Sequence, residues 1–404
     1  MEVLNFSIKR GQNEIHSDFA EREKIQGLKN LNVPNLRFGE YSDEWSLTEL
    51  QKVATISKGS GISKDQLSEN GTYCILYGEL YTKYNSEIIS EVYSKTELDA
   101  ANLVKSKEND VIIPCSGETA IDISTARCVP FNGILLGGDL NIIRLKNQNG
   151  GFFAYQLNGK RKVDIAKVAQ GVSVVHLYGE HLKQVKIAYP TYSEQKKIAD
   201  FLSLLDSRIA TQNKIIQQLQ SLIKGIYDKV FEDISDYQKL SSVCTIQKGQ
   251  QVNGEELSEL GDYYVMNGGI EPSGYYDRYN TYANTISISE GGNSCGYVQY
   301  NNVPFWSGGH CYTLQNIKEG YHNLFLYHYL KAREKEIMAL RIGSGLPNIQ
   351  KKDLEKFIVP ILPLETQVGI VDGINKIETK LKQEKDILSA YQKQKAYLLR
   401  NLFI

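Results

Sequence analysis

Between residues 193 and 232 apolar side chains recur every three or four positions: Ile198, Leu202, Leu205, Ile209, Ile216, Leu219, Ile223, Ile226 and Val230, with Gln212 as the polar interruption. That spacing is a heptad seam and predicts a long amphipathic helix. Moving every position forward by 172 gives Ile370, Ile374, Ile377, Leu381, Glu384, Leu388, Tyr391, Lys395, Leu398 and Leu402, so a second helix is predicted over 363–404. The seam returns in phase, and Glu384 stands where Gln212 stood. A single seam is most often the buried side of a packed helix. Two in phase offer each other a partner, and one polar layer near the middle, Gln212 and Glu384, can fix register at some cost in stability.

The same offset continues upstream of the helices. Gln195 matches Gln367, Gly171 matches Gly343, Leu177 matches Ile349, Leu182 matches Leu354, and Phe153 and Tyr155 match Phe325 and Tyr327. Further back the offset drifts, as loop insertions make it do. There "GGDLNIIRL" (137–145) aligns with "GGHCYTLQ" (308–315), and "ATISKGSG" (54–61) with "CTIQKGQQ" (244–251). The chain is therefore built twice. Each half runs through a mixed α and β body dominated by short strands ("DVIIPCSG", "TISISEGG", "GYVQYNNVPFW"), then a basic helix, a glycine turn, a strand ending in proline and the long helix. The expected division is an N-terminal extension (1–30), a first body (31–192), a first long helix (193–232), a second body (233–362) and a second long helix (363–404). The bodies diverge more than the helices, which suggests two different ligands of one class.

Composition narrows the picture little. A chain of 404 residues with 41% hydrophobic and 23% charged side chains can bury sizeable cores. No stretch approaches the roughly 20 apolar residues of a membrane helix, and the N-terminus lacks a secretory layout, so no membrane partner and a cytoplasmic location are expected. Six scattered cysteines without a C-x-x-C spacing are expected to be free and mostly buried. A net charge of −1 leaves open whether basic side chains cluster locally.

The segment "VPNLRFGEYSDEW" (33–45), the "KLSSVCTIQKG" type of opening to each body, the glycine turn followed by Asn348, Ile349 and Leu354, and the helix start "PTYSEQKKIADFL" occur in an order that resembles the specificity subunits of type I restriction-modification enzymes. The resemblance covers about residues 33–404. It implies an α+β, internally duplicated fold: two strand-rich target recognition domains, each followed by a long helix, with the two helices pairing as an antiparallel coiled coil. It further implies that each body reads one half of a bipartite site in double-stranded DNA. Two modification (methyltransferase) subunits would dock around the helices, and restriction (motor-nuclease) subunits would join through the complex. Helices of about 33 residues measure roughly 50 Å, which makes their length a ruler for the gap between half-sites. The second helix start, "PLETQVGI", carries Thr366 where the family commonly has Glu, a departure expected to lie on a solvated turn.

A family-like contact surface combines Lys and Arg for phosphates with side chains that read base edges. Candidates in the first half are Lys58, Ser60, Lys167, Gln170, Ser173 and His176. In the second they are Lys248, Gln250, Arg341, Ser344, Asn348, Gln350 and Lys351. The commoner reading of any one such lysine is a solvated helix face, whereas the Lys58 and Lys248 loops read equally well as ordinary hairpin turns or as contact loops. There is no G-x-x-x-x-G-K-[ST] loop, no Asn or Asp followed by Pro-Pro and an aromatic, and "SEGGNSCG" lacks a dinucleotide-loop frame. His310 and Cys311 beside Cys295 could imitate a metal corner, but an interior pair is the simpler reading. No catalysis and no cofactor are expected of this chain. The resemblance places S-adenosylmethionine in the modification subunits, and ATP with magnesium in the motor-nuclease subunits. The competing reading is a coiled-coil scaffold that organises protein partners without reading DNA.

Overall fold

The computed structural model describes residues 6–7, 32–171, 174–232, 234–343, 345 and 347–404. The predicted strands form, and the two bodies share one topology. In the first, a four-stranded antiparallel sheet runs in the order Ala54–Lys58, Leu140–Leu145, Asp110–Pro114, Arg127–Val129. The second repeats it as Thr245–Lys248, Cys311–Gln315, Thr285–Ser289, Val298–Asn301. Each body also has a small sheet containing one parallel pair, Leu135–Leu136 with Thr72–Ile75 and Trp306–Ser307 with Tyr263–Met266. A two-stranded ribbon joins an early strand of each body to the strand before its long helix: Ser46–Glu49 with Lys186–Tyr189, and Tyr237–Lys239 with Ile358–Pro360. In the first body the central strands are apolar on both faces, because helix residues such as Phe152 and Phe153 cover one side, and the small sheet with Leu80 of the helix Glu79–Thr82 covers the other. Val111 to Ile113 are fully buried for that reason.

The long helices span Tyr192–Glu232 and Leu364–Asn401. Two compact units result, one of Met1–Gln212 with Ile387–Ile404 and one of Asn213–Asp386. Within the first, Ile198, Leu202 and Leu205 of the first helix share a core with Leu398 and Leu402 of the second, and with Trp45, Phe152 and Phe403. Within the second, Phe231 and Val371 share a core with Phe325, Ile349 and Leu354. In each unit the start of one helix thus packs with the end of the other, so they pair antiparallel. Gln212 and Glu384 are both buried, and Lys380 Nζ lies 2.5 Å from the Glu384 carboxylate.

The matched glutamines have a common task. Gln195 Oε1 accepts from Asn149 N–H while its amide donates to the Pro190 carbonyl; Gln367 Oε1 accepts from His322 N–H and donates to the Leu362 carbonyl. Each clamps the strand end to the helix start, where free backbone groups would otherwise be buried. The helix start differs between the repeats, and the reading of His310 with the cysteines needs correction. Thr366 is exposed as expected, but Glu194, the residue at its position in the first repeat, is 1% exposed. It takes a bidentate pair from Arg37 at 2.7 Å and a hydrogen bond from Trp45 Nε1, both in the leading segment 33–45, where the resemblance begins. His310 is exposed and Cys295 and Cys311 lie in different apolar clusters, so they form neither a metal corner nor an interior pair. All six cysteines are buried and free.

Candidate nucleic-acid interface

In both bodies the first strand of the large sheet ends in Lys-Gly. Gly59 N–H donates to the Leu140 carbonyl and Ser60 N–H to Leu136; Gly249 N–H donates to Cys311 and Gln250 N–H to Ser307. A Cβ on Gly59 would stand 2.0 Å from the Gly137 carbonyl oxygen, and one on Gly249 2.3 Å from that of Gly308. The two motifs that align by sequence therefore press against each other in each body, and glycine is required by the contact.

The glycine turns form matching hairpins. Gln170 and His176 exchange backbone hydrogen bonds of 2.9 and 2.7 Å, as Ile342 and Asn348 do at 2.8 and 3.0 Å. Gly171 and Gly343 within them have φ of +126° and +93°. His176 then bridges to Ser116, and Asn348 to Gly291. Leu177 N–H donates to the Cys115 carbonyl and Ile349 N–H to that of Glu290. Finally, Cys115 N–H donates to the Asp139 carbonyl and Glu290 N–H to that of His310. The hairpin, the strand-end lysine and the Gly-Gly turn are thus held on one backbone frame in each body.

The side chains on that frame differ. In the first body Lys58 pairs across the ladder with Asn141, whose amide donates to the Leu177 carbonyl at 2.8 Å. In the second, Lys248 pairs with Tyr312, whose hydroxyl donates to the Ile349 carbonyl at 3.1 Å and to Glu290 Oε1 at 3.0 Å. Glu290 also holds Lys248 Nζ at 2.6 Å and has His310 Nδ1 at 3.7 Å. Cys115 takes the corresponding place in the first body, where burial pushes its thiol up to about 11 against the pull of the Lys58 charge. Lys58 is exposed and, among the described residues, has no acidic partner.

The frame carries Lys58, Gln170 and His176 in the first body and Lys248 and Asn348 in the second, where Arg341 directly precedes Ile342 of the hairpin. Lys167 is exposed on the helix Lys162–Val168 that leads into the first hairpin. Gln350 donates to Asn348 Oδ1 at 3.0 Å, and Lys351 sits 3.8 Å from Glu355. Ser60 is tied inward, its hydroxyl accepting from Val104 N–H at 2.8 Å, and the Gln250 carbonyl accepts from Trp306 Nε1. Ser173 and Ser344 lie outside the described residues. Residues 115, 139 and 141, with 290 and 312, were not singled out from the sequence, and His310 was weighed only as part of a metal corner. The aligned "GGD" and "GGH" were the available signal for two of them. A cavity of about 970 Å³ opens beside the first frame, lined by Gly61, Tyr77, Lys83 and Asp139 among others.

The family model for the type I restriction modification DNA specificity domain matches residues 42–221 and 234–390, once per repeat. The chain belongs to that family. It is similar to the type I restriction enzyme MjaVIII specificity subunit of Methanocaldococcus jannaschii, 23% identical over 93% of this chain and 95% of that one. A Mycoplasma pneumoniae protein named as a type I specificity subunit is 30% identical over 41% of this chain; the match spans 44% of that relative, less than half its length. Among solved structures, the S subunit of a type I restriction-modification system from M. genitalium superposes with a TM-score of 0.67 at 19% identity, covering 92% of this chain and 99% of that one. A second type I restriction-modification structure gives 0.54 at 16% identity, covering 89% and 97%. The specificity-domain fold thus extends through both repeats. No helix among the described residues is long and apolar enough to cross a membrane, and no group of His, Cys, Asp and Glu among them could hold a metal ion.

Proposed function

We propose that this chain is the DNA-reading subunit of a type I restriction-modification complex, each body reading one half of a bipartite duplex site, and that it supplies no catalysis of its own. The observation that carries this reading is the repeated frame: Lys58 and Lys248 keep their place while the side chains beside them change. A constant cation suits a constant phosphate, and variable neighbours suit variable bases. The methyltransferase subunits would dock on the long helices, where Leu204, Leu222, Val368 and Tyr397 remain exposed. Phe201 and Phe231 of the first long helix are covered: Phe201 meets Phe38 edge-on and Phe231 is in the second core. S-adenosylmethionine, ATP and magnesium would be bound by the partners.

The test is to assemble the chain with its modification subunits and map methylated adenines on random DNA. Two short motifs at fixed spacing are expected, with Gln170→Ala or His176→Ala relaxing one and Arg341→Ala or Asn348→Ala the other. A single substitution that relaxed both equally would defeat the two-reader assignment. Absence of duplex binding by the assembled complex would favour the scaffold reading.

A further inference from the structure

Asp139 and His310 follow the glycine pair of the turn that packs on the Lys-Gly loop, and both are exposed. Their positions are equivalent by backbone, since each carbonyl takes the N–H of the residue that in turn accepts from Leu177 or Ile349. Both turns are rigidly held: Gly137 N–H donates to the Ile75 carbonyl, Gly308 N–H to Met266, and His310 N–H to Asn267 Oδ1 at 3.0 Å. A side chain that reads a base needs such a fixed base of its own.

The chemistry is pointed in the first body. Asp139 shares its frame with exposed Lys58, on the face assigned above to the DNA backbone. A carboxylate there is repelled by phosphate, and the groups on DNA that attract it are those it can accept from. In the major groove those groups are the exocyclic amines, cytosine N4 and adenine N6. The second body presents an exposed imidazole instead, which unlike a carboxylate has a ring N–H to donate, with the Glu290 carboxylate 3.7 Å from Nδ1. Donors suit the O6 and N7 edge of guanine. We propose that the residue after the glycine pair is a base-reading residue in each body: Asp139 accepts from cytosine or adenine in one half-site, and His310 donates to guanine in the other.

This inference rests on the DNA-reading assignment, and its test separates the two. The full chain, assembled with its modification subunits, is given duplex libraries in which one half-site at a time is randomised, and methylated products are sequenced. Wild type is expected to select cytosine or adenine at one position of the first half-site. Asp139→Asn should lower that preference about 10- to 100-fold at that position alone, the size of one good base contact. His310→Gln, an independent arm should Asp139→Asn fold poorly, should relax one guanine of the other half-site. Unchanged preferences in both variants, with Asp139→Asn merely binding all sequences more tightly, would show that Asp139 tunes charge only and overturn the inference. A wild-type complex with no preference in either half would overturn the DNA-reading assignment itself.

Discussion

Lys395 occupies a seam position whose counterpart in the other helix is Ile223, and the reason is a buried ionic cluster. Its ammonium lies 2.5 Å from Glu87 and 2.6 Å from Asp206, and the Tyr155 hydroxyl donates to Asp206 at 2.7 Å. Burial opposes charging all three. Lys395 nonetheless holds Glu87 below the usual carboxylate range, whereas burial and the Glu87 charge raise Asp206. Lys395→Met should cost about 3–5 kcal/mol in urea unfolding, because it leaves two carboxylates buried beside each other. Replacement of all three by apolar residues should cost much less. His328 supplies a pH dependence. It is 1% exposed with the Tyr227 hydroxyl 2.9 Å from Nδ1, and burial lowers its pKa from 6.5 to about 4 in spite of Asn375. Glu378 at 3.9 Å therefore faces a neutral ring at pH 7. The unfolded chain binds the proton first, so this group's full contribution is present above about pH 6.5 and is lost as the pH falls toward 4. His328→Gln should flatten that part of a stability-versus-pH curve; an unchanged slope would show that His328 is not responsible.

At the scale of elements, two kinds of glycine are separable. Gly59→Ala or Gly249→Ala drives a methyl into a carbonyl 2.0 or 2.3 Å away and should destabilise its body by about 1–3 kcal/mol or more, with loss of DNA discrimination in that half-site. Gly225, Gly369 and Gly373 lie within the long helices with nothing within 4 Å of an added Cβ. Each change to Ala there should stabilise by roughly 0.5–1 kcal/mol, read as a rise in melting temperature. The strands and helices themselves were legible because alternation and heptad spacing are local. The Lys-Gly and Gly-Gly motifs were visible as aligned pieces, but their mutual contact was not, since about 80 residues separate Gly59 from Gly137.

The duplication makes its own prediction for the whole molecule. If helix length sets the gap between half-sites, removing seven residues from each long helix keeps the heptad phase and shortens each by about 10 Å, about three base pairs of duplex. Antiparallel pairing decides which seven. Counting from the Asp206–Lys395 contact, the stretch facing Leu219–Gly225 is Lys376–Lys382. The 172-residue repeat would have pointed to 391–397, which suits only parallel helices. Methylation mapping of the shortened chain should report a contracted spacer or no site at all. Undiminished recognition at the parental spacing by a well-folded variant would show that the helices do not set it.

By itself the sequence determined that the chain is built twice, that each copy ends in a long seamed helix, and which family it resembles. Periodicity and order survive without coordinates, because neighbouring residues impose them. Tertiary structure decided which charges are buried and which side chains meet. Glu194 matches the exposed Thr366 in the repeat, yet Arg37 and Trp45 close over it. Asp139 and His310 gained a role only when residues near 58, 115 and 176, or 248, 290 and 348, folded onto one frame. Contacts between segments so far apart in the chain leave no local pattern, and a carboxylate on a loop reads the same whether it faces water or a lysine.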